Sequence, residues 1–151
     1  MSEKTFRFSL EDVLEVRKQA TQRAMQSLAQ AMHQRQMQEE RVRRAEEYLE
    51  QLTASGKITG SSGPEHLRRS AAFRQNANRQ LTRARQTLQH LKTKEDEARR
   101  TLTEARHAEE ALLTLRDEEK SAHEQAAKEA EQAFLDEQAV TRHMHDHSLL
   151  S

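Results

Sequence analysis

Apolar residues recur every three or four positions through two long stretches of this chain, which is the spacing of helices that bury one stripe. A heptad frame with a 3.5-residue period fits both stretches, so the pattern predicts two helices that pair as a coiled coil. In the first stretch the a positions are Leu14, Thr21, Leu28, Arg35, Val42 and Leu49, and the d positions are Leu10, Arg17, Ala24, Ala31, Gln38, Ala45 and Leu52. In the second, the a positions are Leu67, Arg74, Leu81, Leu88, Glu95 and Leu102, and the d positions are Ala77, Ala84, Leu91, Ala98, Ala105 and Leu112.

All three glycines and the only proline fall between Gly56 and Pro64. Since glycine and proline are the residues least favourable inside a helix, this window predicts the turn of a hairpin. Ser9 is placed to cap the first helix, and Pro64 suits the first position of the second. We therefore expect an all-α fold, an antiparallel two-helix coiled-coil hairpin that forms one rod-like domain over residues 1–151. Its expected parts are helix 1 at about 9–53, a turn at 54–63, helix 2 at about 64–143 and a tail at 144–151.

The turn also predicts how the helices align. If residues whose numbers sum to 119 face each other, large residues mostly meet small ones, as when Leu14 faces Ala105, although a slip of one heptad matches sizes in part. Position 8 then faces position 111, so helix 2 should overhang helix 1 beyond about Leu113. The overhang keeps apolar residues, which implies self-association, fraying or a binding partner.

Composition narrows the function classes. Only 34% of the residues are hydrophobic and 33% are charged, which argues against a thick core and an enclosed catalytic pocket. No cysteine is present, no phosphate loop, nucleophile elbow or metalloprotease motif occurs, and we predict neither an enzyme nor a cofactor. The opening segment has no apolar core of signal-peptide length, and we expect a soluble cytoplasmic protein.

Charge is balanced overall but not locally. Residues 66–106 hold 11 Lys and Arg against 4 Asp and Glu, whereas residues 107–151 hold 4 against 11. The basic stretch is either the solvated face of a helix or a contact for phosphates, and the scarcity of aromatic residues argues against nucleic acid. His143 and His147 have a spacing that can bind zinc or nickel, but third and fourth ligands are missing, and we predict no metal site.

Tyr48 and Phe73 both fall at g positions, on one flank of the predicted hairpin near its turn. Such a pair either shields the seam, which is the interface formed by the a and d positions, or anchors a protein-binding patch. The second reading is reasonable because aromatic side chains dominate binding hot spots.

Four sequence features, in their order along the chain, resemble those of the FliJ family. The chain opens with Phe6-Arg-Phe-Ser-Leu-Glu-Asp-Val-Leu-Glu-Val-Arg17, helix 1 ends in Glu-Glu-Tyr-Leu-Glu-Gln-Leu at 46–52, Phe73 stands in the first turns of helix 2, and Phe134-Leu-Asp-Glu-Gln-Ala139 comes late. The resemblance covers essentially the whole chain. It implies a stalk of the bacterial flagellar type III protein export apparatus, related to the equivalent protein of virulence secretion systems.

The resemblance also implies partners and surfaces. The expected partners are the hexameric flagellar export ATPase, the cytoplasmic part of the export gate protein and, for some members, export chaperones. By position, the gate-binding surface falls on Arg41, Ala45, Tyr48, Leu52, Phe73 and Ala77. The ATPase-facing end falls on Phe6, Phe8, Leu113, Leu115 and Phe134.

A stalk of this kind is expected to be monomeric when isolated, to insert into no membrane and to bind no nucleic acid. When assembled it would be peripheral at the cytoplasmic face of the inner membrane. The alternative is a generic cytosolic coiled-coil scaffold or homodimerising adaptor, which would use the overhang to self-associate.

Overall fold

The computed structural model describes residues 5–58 and 63–150 of the chain. These residues form two helices, α1 at Glu11–Ile58 and α2 at Pro64–Leu149. The helices pack against each other with no strand among the described residues, which confirms the all-α hairpin in which helix 2 overhangs helix 1. Of the expected turn, residues 59–62 lie outside the described part.

The helix bounds differ from those expected. α1 continues through Gly56 to Ile58, because a single glycine costs only about 1 kcal/mol and does not by itself end a helix. α2 runs to Leu149, beyond the expected end near residue 143, since no breaker follows Pro64. α1 begins at Glu11, and the Ser9 side chain forms no capping bond within the described residues. The Glu11 backbone N–H instead donates to the Phe8 carbonyl at 3.3 Å.

The chain divides into two compact units. Unit 1 combines Met1–Gln19 with Arg106–Ser151, and unit 2 is Ala20–Ala105. Both helices are continuous across the boundary in sequence.

Unit 2 is a two-helix seam built as the heptad frame predicts. Its buried a and d residues are Thr21, Ala24, Ala31, Gln38, Val42, Ala77, Leu81, Glu95 and Leu102. Leu67 is the exception: predicted at an a position, it is 61% exposed. The seam in this unit thus contains small, large and polar side chains in alternation.

The register of unit 2 differs from the one predicted. With numbers summing to 119, Arg35 would lie opposite Ala84 and Glu95 opposite Ala24. In the structure the Arg35 guanidinium binds the Glu95 carboxylate directly, and on the flank Arg85 Nη2 binds Glu46 Oε1 at 3.0 Å. Both contacts fit a register one heptad further along α2, in which Arg35 faces Leu91, one turn from Glu95.

Polar seam residues explain the shift. Glu95 is 3% exposed and is held by Arg35 and by Arg99, whose Nη2 lies 2.8 Å from Glu95 Oε1. Gln38 donates from Nε2 to the Ala84 carbonyl at 3.0 Å, a contact that both registers allow. Hydrogen bonds from Arg35 to Glu39 and Glu95 raise the pKa of its guanidinium above the ordinary value. Because buried polar groups need partners, the register that pairs them is favoured over one that only alternates sizes.

In unit 1 the segment before α1 lies against α2. Leu14 is fully buried and Phe8 is 7% exposed, while the Phe6 ring centroid lies 5.6 Å from that of His123. Non-helical residues can rise about 3.3 Å each against 1.5 Å in a helix, so a few of them cover several helical turns of α2. The expectation that α2 loses its cover beyond Leu113 is therefore wrong, because partial burial continues to His123.

Candidate protein-interaction surfaces

Unit 2 exposes two aromatic side chains on its surface. Tyr48 is 48% exposed on α1 and Phe73 is 59% exposed on α2. No ring contact joins them among the described residues. Exposed aromatic side chains on an otherwise polar hairpin have the character of binding anchors.

The other residues expected at the gate-binding surface divide into two groups. Arg41 is exposed and donates from Nη1 to Gln38 Oε1 at 3.4 Å. Ala45 and Leu52 are half-buried and Ala77 is 3% exposed, because all three are seam positions. Accessible atoms of this set therefore come mainly from Arg41, Tyr48 and Phe73, while the remaining three support the packing beneath.

A groove lies between the start of the chain and α2 within unit 1. It has a volume of about 820 Å³, and its walls come from residues 5–12 on one side and Arg116, Asp117 and Lys120 on the other. Its lining combines the rings of Phe6 and Phe8 with charges of both signs. The groove is open and mixed in character, which suits a protein surface better than a small molecule.

The residues expected at the ATPase-facing end do not form one exposed patch. Phe8 is buried, and Phe6, Leu113 and Leu115 are half-buried, so these four pack within unit 1. Phe134 is 45% exposed, farther along α2. Of the five residues, only Phe134 offers a largely free apolar side chain.

Every residue of α2 from Glu124 to Leu149 is exposed. The heptad frame of Leu102 nevertheless continues through this part, and it places apolar residues at five of the seven a and d positions, with Glu137 and His147 at the other two. We call these residues the uncovered seam, namely Ala126, Ala130, Ala133, Val140 and Met144. Phe134 borders it at an e position.

The two histidines singled out in the sequence lie on one face of α2. The rings of His143 and His147 stack with centroids 5.8 Å apart and an angle of 15° between their planes. No cluster of three or more potential metal-ligating side chains occurs within residues 5–58 and 63–150.

Sequence reasoning missed His123, whose ring packs against Phe6. Its signal was indirect. Two phenylalanines stand in the segment before the first helical turn, and apolar rings in such a segment require a surface to cover them.

Two long helices packed against each other define a coiled-coil protein. In the part of the chain that the structure describes, no helix combines the length and apolar character needed to cross a membrane. The chain belongs to the FliJ family: the family model described as "Flagellar FliJ protein" matches residues 6–148, nearly the whole chain. The family consists of structural components of the flagellar export apparatus. No curated protein and no solved structure matches the chain.

Proposed function

We propose that this protein is the non-enzymatic stalk of the flagellar type III export apparatus, binding the hexameric export ATPase through unit 1 and the export gate protein through unit 2. Family membership supports the apparatus, and the uncovered seam supports a partner for unit 1. A long helix does not keep an apolar heptad stripe in water without cost, so the stripe indicates a surface that is covered in the assembly.

The uncovered seam is the observation that carries the proposal. Its residues Val140 and Met144 are 58% and 68% exposed, and small alanines precede them. Glutamate and aspartate are numerous along this part of α2, so the complementary surface is apolar with basic borders. Export chaperones are candidate occupants of the same stripe when the ATPase is absent.

The gate-facing surface is assigned to Tyr48 and Phe73, with Arg41 beside them. This assignment rests on their exposure and on the resemblance of the sequence to the family. Binding through unit 2 while unit 1 engages the ATPase makes the protein peripheral at the cytoplasmic face of the inner membrane.

Charge substitutions test whether the uncovered seam binds the export ATPase. Val140→Glu with Met144→Glu should lower the stimulation of ATP hydrolysis by the cognate export ATPase at least tenfold, because charge is placed in a desolvated contact. The matched control is Gln132→Glu with Ala139→Glu, which adds equal charge at c positions and should keep stimulation within about twofold. Equal loss in both variants, or full stimulation in the first, would remove the ATPase from this seam.

Sedimentation of the isolated protein separates the stalk from the scaffold alternative. We expect a monomer at micromolar concentration. A dimer that the Val140→Glu and Met144→Glu pair dissociates would show that a second copy covers the seam, in favour of the scaffold.

A further inference from the structure

The first half of α2 contains no acidic residue between Glu65 and Glu95, yet it contains eight arginines and lysines. A helical stretch of this length ordinarily mixes both signs, since opposite charges one turn apart stabilise it. Because acidic residues are absent between Glu65 and Glu95, no residue within this stretch of α2 compensates its positive charge.

Four of these arginines form what we call the basic face: Arg68, Arg69, Arg79 and Arg83. They occupy b, c and f positions, which point away from the seam, and all four are exposed. None has an ion pair or a hydrogen-bonded side-chain partner among the described residues. At 1.5 Å per residue the basic face is about 22 Å long.

Several other arginines of unit 2 are paired with acidic residues. Arg85 pairs with Glu46, and Arg99 pairs with Glu95. On α1, Arg43 and Arg44 both bind Glu40, at 2.7 and 3.5 Å. The four arginines of the basic face have no such acidic partner among the described residues, so their positive charge is not compensated locally.

The side chains between these arginines decide which anionic partner fits. The b, c and f positions from Arg68 to Arg83 carry no aromatic residue and no large aliphatic residue, and Phe73 lies at a g position on the border of the face. One bordering ring is not the series of stacking platforms that holds unpaired bases. A row of long cationic side chains on a helix suits a flat surface of negative headgroups, which attracts each basic residue without specific geometry.

We propose that the basic face binds the surface of a bilayer that contains anionic phospholipids. The contact is electrostatic and reversible, and each arginine strengthens it by about fivefold. It needs neither the ATPase nor the gate protein, so it is independent of the function proposed above. It brings the protein to a membrane surface by its own charge.

Cosedimentation of the full chain with vesicles tests the proposal. Vesicles of phosphatidylcholine with about one third phosphatidylglycerol should bind the protein in 0.1 M salt, and pure phosphatidylcholine vesicles should not. Raising the salt to 1 M should release it, because the screening length falls from about 10 Å to about 3 Å.

The basic face is then neutralised by Arg79→Gln with Arg83→Gln, which should weaken vesicle binding about twentyfold. The matched control, Arg43→Gln with Arg44→Gln, removes equal charge from α1 where Glu40 already compensates it, and binding should change less than threefold. Circular dichroism verifies that both variants remain helical.

Three results would overturn the proposal: no preference for anionic vesicles, equal loss in both variants, or tighter binding to duplex DNA than to vesicles. The last would assign the basic face to nucleic acid. A fully helical Arg79 and Arg83 variant that binds vesicles normally would equally exclude this face.

Discussion

Arg35 and Glu95 form an ion pair between α1 and α2 in the middle of the unit 2 seam, and Arg99 binds the same carboxylate from the next turn of α2. Glu95 is almost fully buried, whereas the Arg35 side chain is 21% exposed and also pairs with Glu39 at 3.0 Å. An ion pair so placed aligns the two helices, because sliding one helix past the other by a heptad separates the charges.

Removing the buried carboxylate should destabilise the hairpin. Glu95→Ala removes the buried carboxylate that Arg35 and Arg99 share, and we expect a loss of about 1–3 kcal/mol in the free energy of unfolding, measured with urea. The control is Asp96→Ala, since the neighbouring Asp96 side chain is 65% exposed and contacts Arg99 only at 3.8 Å. This control should cost less than about 0.5 kcal/mol.

Replacing both partners together should have a different effect. Arg35→Leu with Glu95→Leu removes both charges and adds apolar contact, so stability should equal or exceed that of the original protein. A double variant as unstable as Glu95→Ala would show that the pair itself, and not the unpaired charge, controls stability.

The register can be measured by distances between spin labels, because the chain has no cysteine of its own. Gln36, Thr82 and Gln89 are exposed b positions, and the last two are one heptad apart on α2. Double electron–electron resonance should give a shorter distance between labels at Gln36 and Gln89 than between labels at Gln36 and Thr82. The reverse order would restore the register in which paired numbers sum to 119.

Phe8 should be essential for holding the segment before α1 against α2. Phe8→Ala removes a 7% exposed ring and should cost about 3 kcal/mol, within the range of core phenylalanine truncations. Amide hydrogen exchange should speed up in residues 108–123 of α2. Val16→Ala, at a side chain that is 62% exposed, should leave both quantities nearly unchanged.

Tyr48→Ala combined with Phe73→Ala should separate binding from folding. Since both rings are about half exposed, helicity by circular dichroism should persist, while affinity for the cytoplasmic part of the export gate protein should fall at least tenfold. Met25→Ala with Met37→Ala truncates two other exposed apolar side chains and should keep the affinity. A double aromatic variant that unfolds early yet binds normally would make the rings structural.

Heptad periodicity, together with the window of glycines and proline from Gly56 to Pro64, was sufficient to predict the hairpin. Residues such as Leu14, Ala24, Val42 and Leu81 are buried at the heptad positions that place them on one stripe, because a helix has a fixed number of residues per turn whatever it packs against. The apolar residues from Ala126 to Val140 were predicted in the same way, since a heptad frame is a property of one helix.

Tertiary packing decided what depends on two segments at once. The register follows from Arg35 reaching Glu95 and Arg85 reaching Glu46, and size alternation along each helix matches more than one alignment. The covered length of α2 follows from Phe6 meeting His123. Heptad periodicity describes the surface of each helix, but the partner of a polar or aromatic group is determined by which surfaces meet.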